Sequence, residues 1–155
     1  TPDGSESQAA LAQIVERCSV LPDSIASRIH VAAVSMEDRE VNATVVNAVQ
    51  RVSSVVTQRS LVEAFGLTVA EAMWKKAPVV ASAVGGIRDQ IDDGVDGVLV
   101  DPADGLAWAE AVRDLLLFPE RAQEMGLAAH ESVRREFLSN RHLQDLLQIV
   151  ADLVG

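Results

Sequence analysis

Segment 54–76 constrains the fold of this chain more than any other part of the sequence. Residues 54–57 form a short apolar run typical of a buried strand, and residues 69–76 have the pattern of a helix. A tight link containing Gly66 joins them. In α/β proteins, a strand, a glycine turn and a helix N-terminus in this order present backbone N–H groups to an anionic ligand. We therefore expect a ligand site built on this segment.

The composition favours a parallel sheet covered by helices on both faces. Hydrophobic residues make up 48% of the 155-residue chain and aromatic residues only 3%. The core must therefore be built from aliphatic side chains, as in sheets that are buried on both faces. The length is sufficient for one domain, or a large part of one, with a buried core.

Charge and cysteine content argue against several classes of partner. The formal net charge of −10 disfavours nucleic acid and anionic membranes. Cys18 is the single cysteine, so a disulfide framework or a thiolate metal site within the chain is excluded. No apolar run approaches the roughly 20 residues of a membrane span, and no signal peptide is visible. We expect a cytoplasmic protein.

Apolar periodicity and turn residues predict an alternation of strands and helices. Asp38 is placed to cap one helix, and Pro119 lies in the first turn of another. The predicted strands are residues 28–34, 54–57, 79–82 and 98–100. The predicted helices are residues 5–18, a helix after Asp38, and residues 69–76, 87–92, 106–117, 119–137 and 139–153. The predicted fold class is α/β, a doubly wound, Rossmann-like parallel sheet flanked by helices and followed by two C-terminal helices.

Glu71 has a structural explanation that needs no ligand. Thr68 and Glu71 have the spacing of a capping box, in which each side chain bonds to the other's backbone N–H. Such a cap contributes about 1 kcal/mol to stability. For this pattern a structural cap is a commoner role than ligand binding. It does not exclude a ligand role, because a carboxylate in the first turn of a helix can also reach a ribose diol.

Glu63 is harder to explain by structure alone. It follows a predicted strand and precedes the glycine turn, so it lies at the carboxyl edge of the sheet. Ligands of open α/β sheets bind at that edge. A solvated loop glutamate is still the commoner case. Gly66 is expected to have a positive φ or to allow close approach of a ligand.

Other candidate motifs are weaker. Gly85 and Gly86 offer a second helix N-terminus at the same edge, but they do not form the Gly-x-Gly-x-x-Gly fingerprint of a dinucleotide site. No cofactor is predicted. The three histidines, at positions 30, 130 and 142, have no ligand spacing, so no metal is predicted either. Lys75 and Lys76 fall in the predicted last turn of the central helix, where cations offset the helix dipole.

A family resemblance rests on these residues. Segment 63–73, with its paired glutamates, resembles the motif of retaining glycosyltransferases with the GT-B fold. The longer segment 74–91 resembles trehalose synthases that use a nucleotide-glucose, and the related retaining trehalose phosphorylases. Short segments 32–34, 40–43 and 135–138 fit the same group. The resemblance therefore covers nearly the whole chain.

The resemblance implies roles for the residues around the glycine turn. Glu63 would accept hydrogen bonds from hydroxyls of the donor glucose. Backbone N–H groups around Phe65, Gly66 and Leu67 would hold that sugar. Those of Leu67 and Thr68 would bind the diphosphate, which suits amides at a helix start.

The nucleotide contacts implied by the resemblance lie partly elsewhere. Glu71 would bind the ribose hydroxyls, a role suited to a carboxylate. Val34, Ser35 and Met36, after the first predicted strand, would contact the base through their backbone. UDP-glucose or ADP-glucose is the expected donor and a glucose-type sugar the acceptor in the full enzyme.

The sequence departs from this family's pattern in its motif and its extent. Ala64 stands where the group often has glycine, and Val62 where a basic residue is usual. By the resemblance, we expect the acceptor domain and the first two strands of the donor domain to lie outside these residues. With those strands goes the Arg/Lys pair that neutralises the leaving diphosphate. Residues 1–155 are thus expected to be an N-terminally truncated donor-binding domain without a complete catalytic site.

Such a truncated sheet would leave unpaired backbone groups where its middle strands are missing. The chain would close the gap, exchange elements with a second copy, or lie beside further chain. The resemblance and this truncated sheet each leave one alternative to a transferase open. One is a phosphorylase that uses glucose 1-phosphate, and the other is a non-catalytic fragment folded as a swapped oligomer.

Overall fold

The computed structural model describes residues 5–34 and 37–154 of the chain. The chain divides into two compact units, one ending at Ala48 and the other beginning at Val49. Each unit is built differently, because only the second contains a sheet among its described residues.

The secondary-structure elements described in the first unit are all helices. They are α1 (Ser5–Ser19), α2 (Asp23–Ala26) and most of α3 (Arg39–Val52). The predicted cap at Asp38 is confirmed, since its Oδ1 accepts bonds from the N–H groups of Glu40 and Val41 at 3.0 Å each. None of residues 8–34 and 37–48 is buried, so these residues form no core of their own.

The predicted strand at residues 28–34 is wrong. The segment leaves a turn at Arg28 and continues without regular secondary structure. Ile29 and Val31 expose 39% and 42% of their surfaces. A strand requires a neighbour for its N–H and C=O groups, and none of the three described strands pairs with this segment. Apolar character alone therefore did not make it a strand.

The second unit is organised around a three-stranded parallel sheet in the order β1-β2-β3. Its strands are β1 (Val56–Gln58), β2 (Val79–Ser82) and β3 (Val98–Val100). The last two have the predicted bounds, whereas β1 starts two residues later than predicted. Because the strands are parallel, their carboxyl ends lie on one edge of the sheet. The α/β class with helices on a parallel sheet is confirmed.

Helices and one short 3-10 helix cover this sheet. They are α4 (Leu67–Trp74), the 3-10 helix (Gly85–Asp89), α5 (Gly105–Leu117), α6 (Pro119–Glu136) and α7 (Ser139–Val154). Asp104 caps α5 by accepting from the N–H groups of Leu106 and Ala107. Pro119 occupies the first turn of α6, as predicted. No helix in the described part of the chain is both long and apolar enough to cross a bilayer.

The core lies on both faces of β2, whose four residues are all buried. Val79 and Ala81 pack with Met73 and other residues of α4 and α6. Val80 packs on the opposite face, against Trp108 of α5. This alternation is the two-residue period of a strand. Met73 is 0% exposed, so truncating it to alanine would cost about 2–5 kcal/mol.

Candidate functional site

Two loops meet at the carboxyl edge of the sheet, one after β1 and one after β2. The N–H of Gly86 donates to the carbonyl of Glu63 at 3.3 Å. A Cβ on Gly85 would lie 1.7 Å from that same carbonyl oxygen, and a Cβ on Gly86 would lie 2.3 Å from the carbonyl oxygen of Ala64. The two loops therefore pack backbone against backbone, and only glycine fits at either position. The pair Gly85-Gly86, a weak signal in the sequence, fixes the position of the Glu63 loop.

Gly66 begins helix α4 from a left-handed conformation, with φ 91°. Its carbonyl accepts the first helical bonds, from the N–H groups of Val69 and Ala70. A Cβ at position 66 would lie 2.8 Å from the side chain of Ile87. The expected positive φ is confirmed. The atom that approaches Gly66 closely belongs to the protein, so close approach of a ligand stays a prediction. The N–H groups of Leu67 and Thr68 precede those first helical bonds, have no acceptor within the helix and can donate to a ligand.

The predicted capping box is wrong. Helix α4 starts at Leu67, so Thr68 is already inside the helix and the N-cap is Gly66, which makes no side-chain cap bond. The left-handed Gly66 starts the helix two residues earlier than the Thr-x-x-Glu spacing predicted. Glu71 therefore loses its structural explanation, and its carboxylate is 54% exposed.

Glu63 is half-buried in the loop after β1. Its Oε2 accepts from the hydroxyl of Ser60 at 3.4 Å, and that hydroxyl accepts from the amide of Gln58 at 2.9 Å. Gln58 is the last residue of β1. A short polar chain thus links the glutamate to the strand end, while its backbone is held by the glycine pair.

The structure gives the two lysines roles that the sequence did not predict. Helix α4 ends at Trp74, so both lie beyond its last turn, with Lys75 as the C-cap and Lys76 in a left-handed conformation at φ 63°. The Lys75 ammonium donates to the side-chain oxygen of Gln50 in α3. It also lies 4.0 Å from the carboxylate of Glu71.

Several polar residues at this edge were missed by sequence reasoning. Gln90 is 3% exposed, and its amide donates to the Phe65 carbonyl at 2.5 Å, which fixes the peptide before the glycine turn. The side-chain oxygens of Gln90 and Ser82 are buried without a hydrogen-bond partner. Arg59 donates to the carbonyl of Pro102 and lies over the ring of Trp108. No sequence signal marks these contacts, because each joins loops distant along the chain.

The predicted base-contacting residues are not part of the second unit, which contains this edge, and their role stays a prediction. Val34 belongs to the first unit and is partly exposed. Ser35 and Met36 lie outside the described residues. The other predicted site residues, at positions 63, 65, 66, 67, 68 and 71, all lie between β1 and the middle of α4.

Neither histidines nor carboxylates form a metal centre in what is described. Within residues 5–34 and 37–154, no group of three His, Cys, Asp or Glu side chains could hold a metal ion. His130 instead stacks on Trp74 with ring centroids 4.4 Å apart, and its Nδ1 is hydrogen-bonded to the Trp74 carbonyl. This histidine joins α6 to α4.

A groove of about 230 Å³ runs along the exposed face of α4. It is lined by apolar residues of α4, by Phe65 and Phe137, and by the charged side chains of Glu71 and Lys75. A larger hollow of about 650 Å³ lies at the corner between α5 and α6, but its lining residues all fall between Leu117 and Glu124. The smaller groove is therefore the one continuous with the loops at the sheet edge.

Comparisons with known proteins agree with this architecture. The family profile of Glycosyl transferases group 1 matches residues 39–132. Trehalose synthase from Pyrococcus horikoshii is 49% identical over 115 residues, which is 74% of this chain and 27% of that protein. A D-inositol 3-phosphate glycosyltransferase from Xylanimonas cellulosilytica is 45% identical over 85 residues, which is 55% of this chain and 20% of that protein.

A solved structure extends the similarity to the fold. Sucrose-phosphate synthase from Thermosynechococcus elongatus matches with a TM-score of 0.75 and 29% identity, over 99% of this chain and 35% of that one. The chain thus spans 20–27% of the length of the two curated relatives. Its parallel sheet flanked by helices is that of GT-B glycosyltransferase domains. The chain belongs to the group 1 glycosyltransferase family.

Proposed function

We propose that residues 1–155 are the donor-binding part of a retaining glycosyltransferase that transfers glucose from UDP-glucose or ADP-glucose to a sugar, forming trehalose. One observation carries the proposal. The glycine pair at positions 85 and 86 holds Glu63 beside the start of α4, at the sheet edge where open α/β sheets bind ligands. A carboxylate for sugar hydroxyls and amides for phosphate then lie next to each other.

The sugar and diphosphate contacts are assigned to the glycine turn. Glu63 accepts hydrogen bonds from the glucose hydroxyls, with backbone N–H groups at Phe65, Gly66 and Leu67 holding the ring. The amides of Leu67 and Thr68 bind the diphosphate. Their place in the first turn of α4, where the helix dipole favours negative charge, supports this assignment.

The nucleoside contacts are assigned to Glu71 and to the chain after residue 33. Glu71 accepts from the ribose hydroxyls. Its exposure and the absence of a capping role support a ligand-binding function. Val34, Ser35 and Met36 contact the base through their backbone, as the resemblance implies.

The names of the relatives support a donor-binding rather than an acceptor-binding role. Trehalose synthase, D-inositol 3-phosphate glycosyltransferase and sucrose-phosphate synthase are named for different acceptors or products, yet all match within this chain. The similarity that these three enzymes share with residues 1–155 is best explained by binding of a nucleotide-sugar donor. Trehalose is proposed as the product because the trehalose synthase match is longer and at higher identity than the inositol one. The acceptor site is then outside this chain, and the chain alone turns over little or no substrate.

Calorimetry with UDP-glucose and ADP-glucose tests the proposal on the 155-residue chain. We expect one of them to bind and Glu71→Ala to weaken that binding. No binding of either, or binding indifferent to Glu71→Ala, contradicts the proposal. Formation of glucose 1-phosphate from trehalose and phosphate by the longer protein would replace the synthase assignment with the phosphorylase. Trehalose formation by the isolated chain would contradict the assignment of the acceptor site elsewhere.

A further inference from the structure

A buried glutamine joins α3 to both ends of α4. Gln50, in the last turn of α3, is 5% exposed. Its amide nitrogen donates to the carbonyl of Thr68 at 3.3 Å, and its amide oxygen accepts from the ammonium of Lys75. One side chain thus contacts the first turn of α4 and the residue that caps its C-terminus. The position of Lys75 is therefore set by its bond to Gln50.

The ammonium of Lys75 faces Glu71 from this fixed position. The Lys75 Nζ lies 4.0 Å from Glu71 Oε2, with an i,i+4 spacing. The lysine side chain is only 10% exposed, while the glutamate is 54% exposed. Two freely rotating side chains on a surface gain little from such a pair, because ordering both costs entropy. Here the bond to Gln50 already orders the lysine side chain. Its ammonium therefore attracts the Glu71 carboxylate from a fixed position.

The arrangement is more than a link between helices. A structural link needs only Gln50, the Thr68 carbonyl and Lys75, and Glu71 adds nothing to it. Glu71 nevertheless has its carboxylate 4.0 Å from the Lys75 ammonium. The same glutamine also donates to the carbonyl of Thr68, a residue whose N–H we assign to the diphosphate. Gln50 therefore contacts both a residue assigned to the diphosphate and the lysine that faces the residue assigned to the ribose.

We infer that Lys75 is a positioning residue, which holds the carboxylate of Glu71 in the orientation that binds the ribose hydroxyls, and that Gln50 fixes Lys75. This inference rests on the proposed function, in which Glu71 binds the ribose. Lys75 itself need not touch the nucleotide. Its effect is confined to ligands that carry the ribose diol.

The test compares UDP with 2′,3′-dideoxy-UDP, and ADP with its dideoxy form, by calorimetry on the 155-residue chain. Lys75→Met keeps the length and apolar stem of the side chain but removes its charge. We expect it to weaken binding of the ribonucleotide about fivefold, the order of one ion pair, and to leave the dideoxy nucleotide unchanged. An equal loss for both, or no loss for either, overturns the inference.

Matched variants distinguish positioning of Glu71 by Lys75 from a general effect of removing a positive charge. Lys76→Met removes the same charge from the neighbouring exposed residue, and we expect both affinities to stay as in the wild type. Gln50→Met should reduce the preference for the ribonucleotide in the same direction as Lys75→Met. If Lys75→Met does not fold, Lys75→Gln gives the same comparison without the charge.

The outcomes also distinguish this inference from the proposed function. If the wild type binds neither UDP nor ADP, the proposed function itself fails. If the wild type prefers the ribonucleotide and Glu71→Gln removes that preference while Lys75→Met does not, only the role of Lys75 is refuted.

Discussion

A Cβ atom on Gly85 would lie 1.7 Å from the carbonyl oxygen of Glu63, closer than any non-bonded contact allows. Gly85 also has a φ of 46°, where side chains are strained. We therefore expect Gly85→Ala to push the Glu63 loop away from the sheet edge. The free energy of unfolding should fall by about 2–3 kcal/mol, and binding of the nucleotide-glucose should be lost. Urea unfolding and calorimetry measure the two effects.

Gly94→Ala is the matched control for this prediction. Gly94 has a φ of 79°, but a Cβ there would meet nothing within 4 Å. Gly94→Ala should therefore lower the free energy of unfolding only through backbone strain, by about 1 kcal/mol. Donor binding should be unchanged. If the two alanine variants behaved alike, the contact between Gly85 and Glu63 would have no special role.

Much of the second unit was predictable because local and tertiary preferences agree there. β2 is a continuous apolar run that lies at the centre of the sheet, and its bounds were predicted to the residue. Asp38 and Pro119 mark helix starts through local chemistry, so they could be read without a structure. The paired glutamates were found because they flank the glycine turn of a family motif.

What could not be predicted depends on contacts between distant segments. Residues 28–34 have the composition of a strand but no strand beside them, and composition cannot supply a neighbour. Thr68 and Glu71 have capping-box spacing, but the left-handed Gly66 starts the helix first. The bond from Gln90 to the Phe65 carbonyl spans 25 residues, so nothing local marks it.

The two glutamates should have separable effects on ligand binding. Because Glu63 is assigned to glucose hydroxyls, Glu63→Gln should weaken UDP-glucose or ADP-glucose about tenfold and leave UDP or ADP unchanged. Because Glu71 is assigned to the ribose, Glu71→Gln should weaken all of them by a similar factor. A loss of about 1.4 kcal/mol, a charge-assisted bond, corresponds to that tenfold change. Calorimetry with each ligand gives the comparison.

A distant glutamate provides the control for these charge changes. Glu120 is exposed in the first turn of α6, and Glu120→Gln should leave every affinity as in the wild type. If Glu63→Gln weakened the nucleotide as much as the nucleotide-glucose, the assignment of Glu63 to the sugar would be wrong.

Lys76 lies in a conformation that favours glycine. The N–H of Lys76 donates to the Met73 carbonyl and that of Ala77 to the Ala72 carbonyl, which together form the Schellman motif that ends α4. In that motif the residue at position 76 is left-handed, with φ 63°. Lys76→Gly should therefore raise the free energy of unfolding by about 1 kcal/mol. Urea unfolding measures the gain.

The control keeps the Cβ and removes the charge. Lys76→Ala retains the strain, so its stability should stay close to that of the wild type. Equal stabilisation by alanine and glycine would attribute the effect to the lysine charge rather than to the backbone.

Replacing Gly126 with alanine should change the free energy of unfolding in the opposite direction from the same substitution at an ordinary helix glycine. In the interior of a helix, Gly→Ala usually stabilises by about 1 kcal/mol. At position 126 in α6, however, a Cβ would lie 2.2 Å from the carbonyl oxygen of Lys76, just beyond the end of α4. Because backbone cannot move aside as a side chain can, we expect Gly126→Ala to destabilise by about 2 kcal/mol.

Gly105→Ala, at the start of α5 with nothing within 4 Å, should be neutral or slightly stabilising in the same urea titration. Stabilisation by both variants would mean that α6 does not pack against the end of α4 as described.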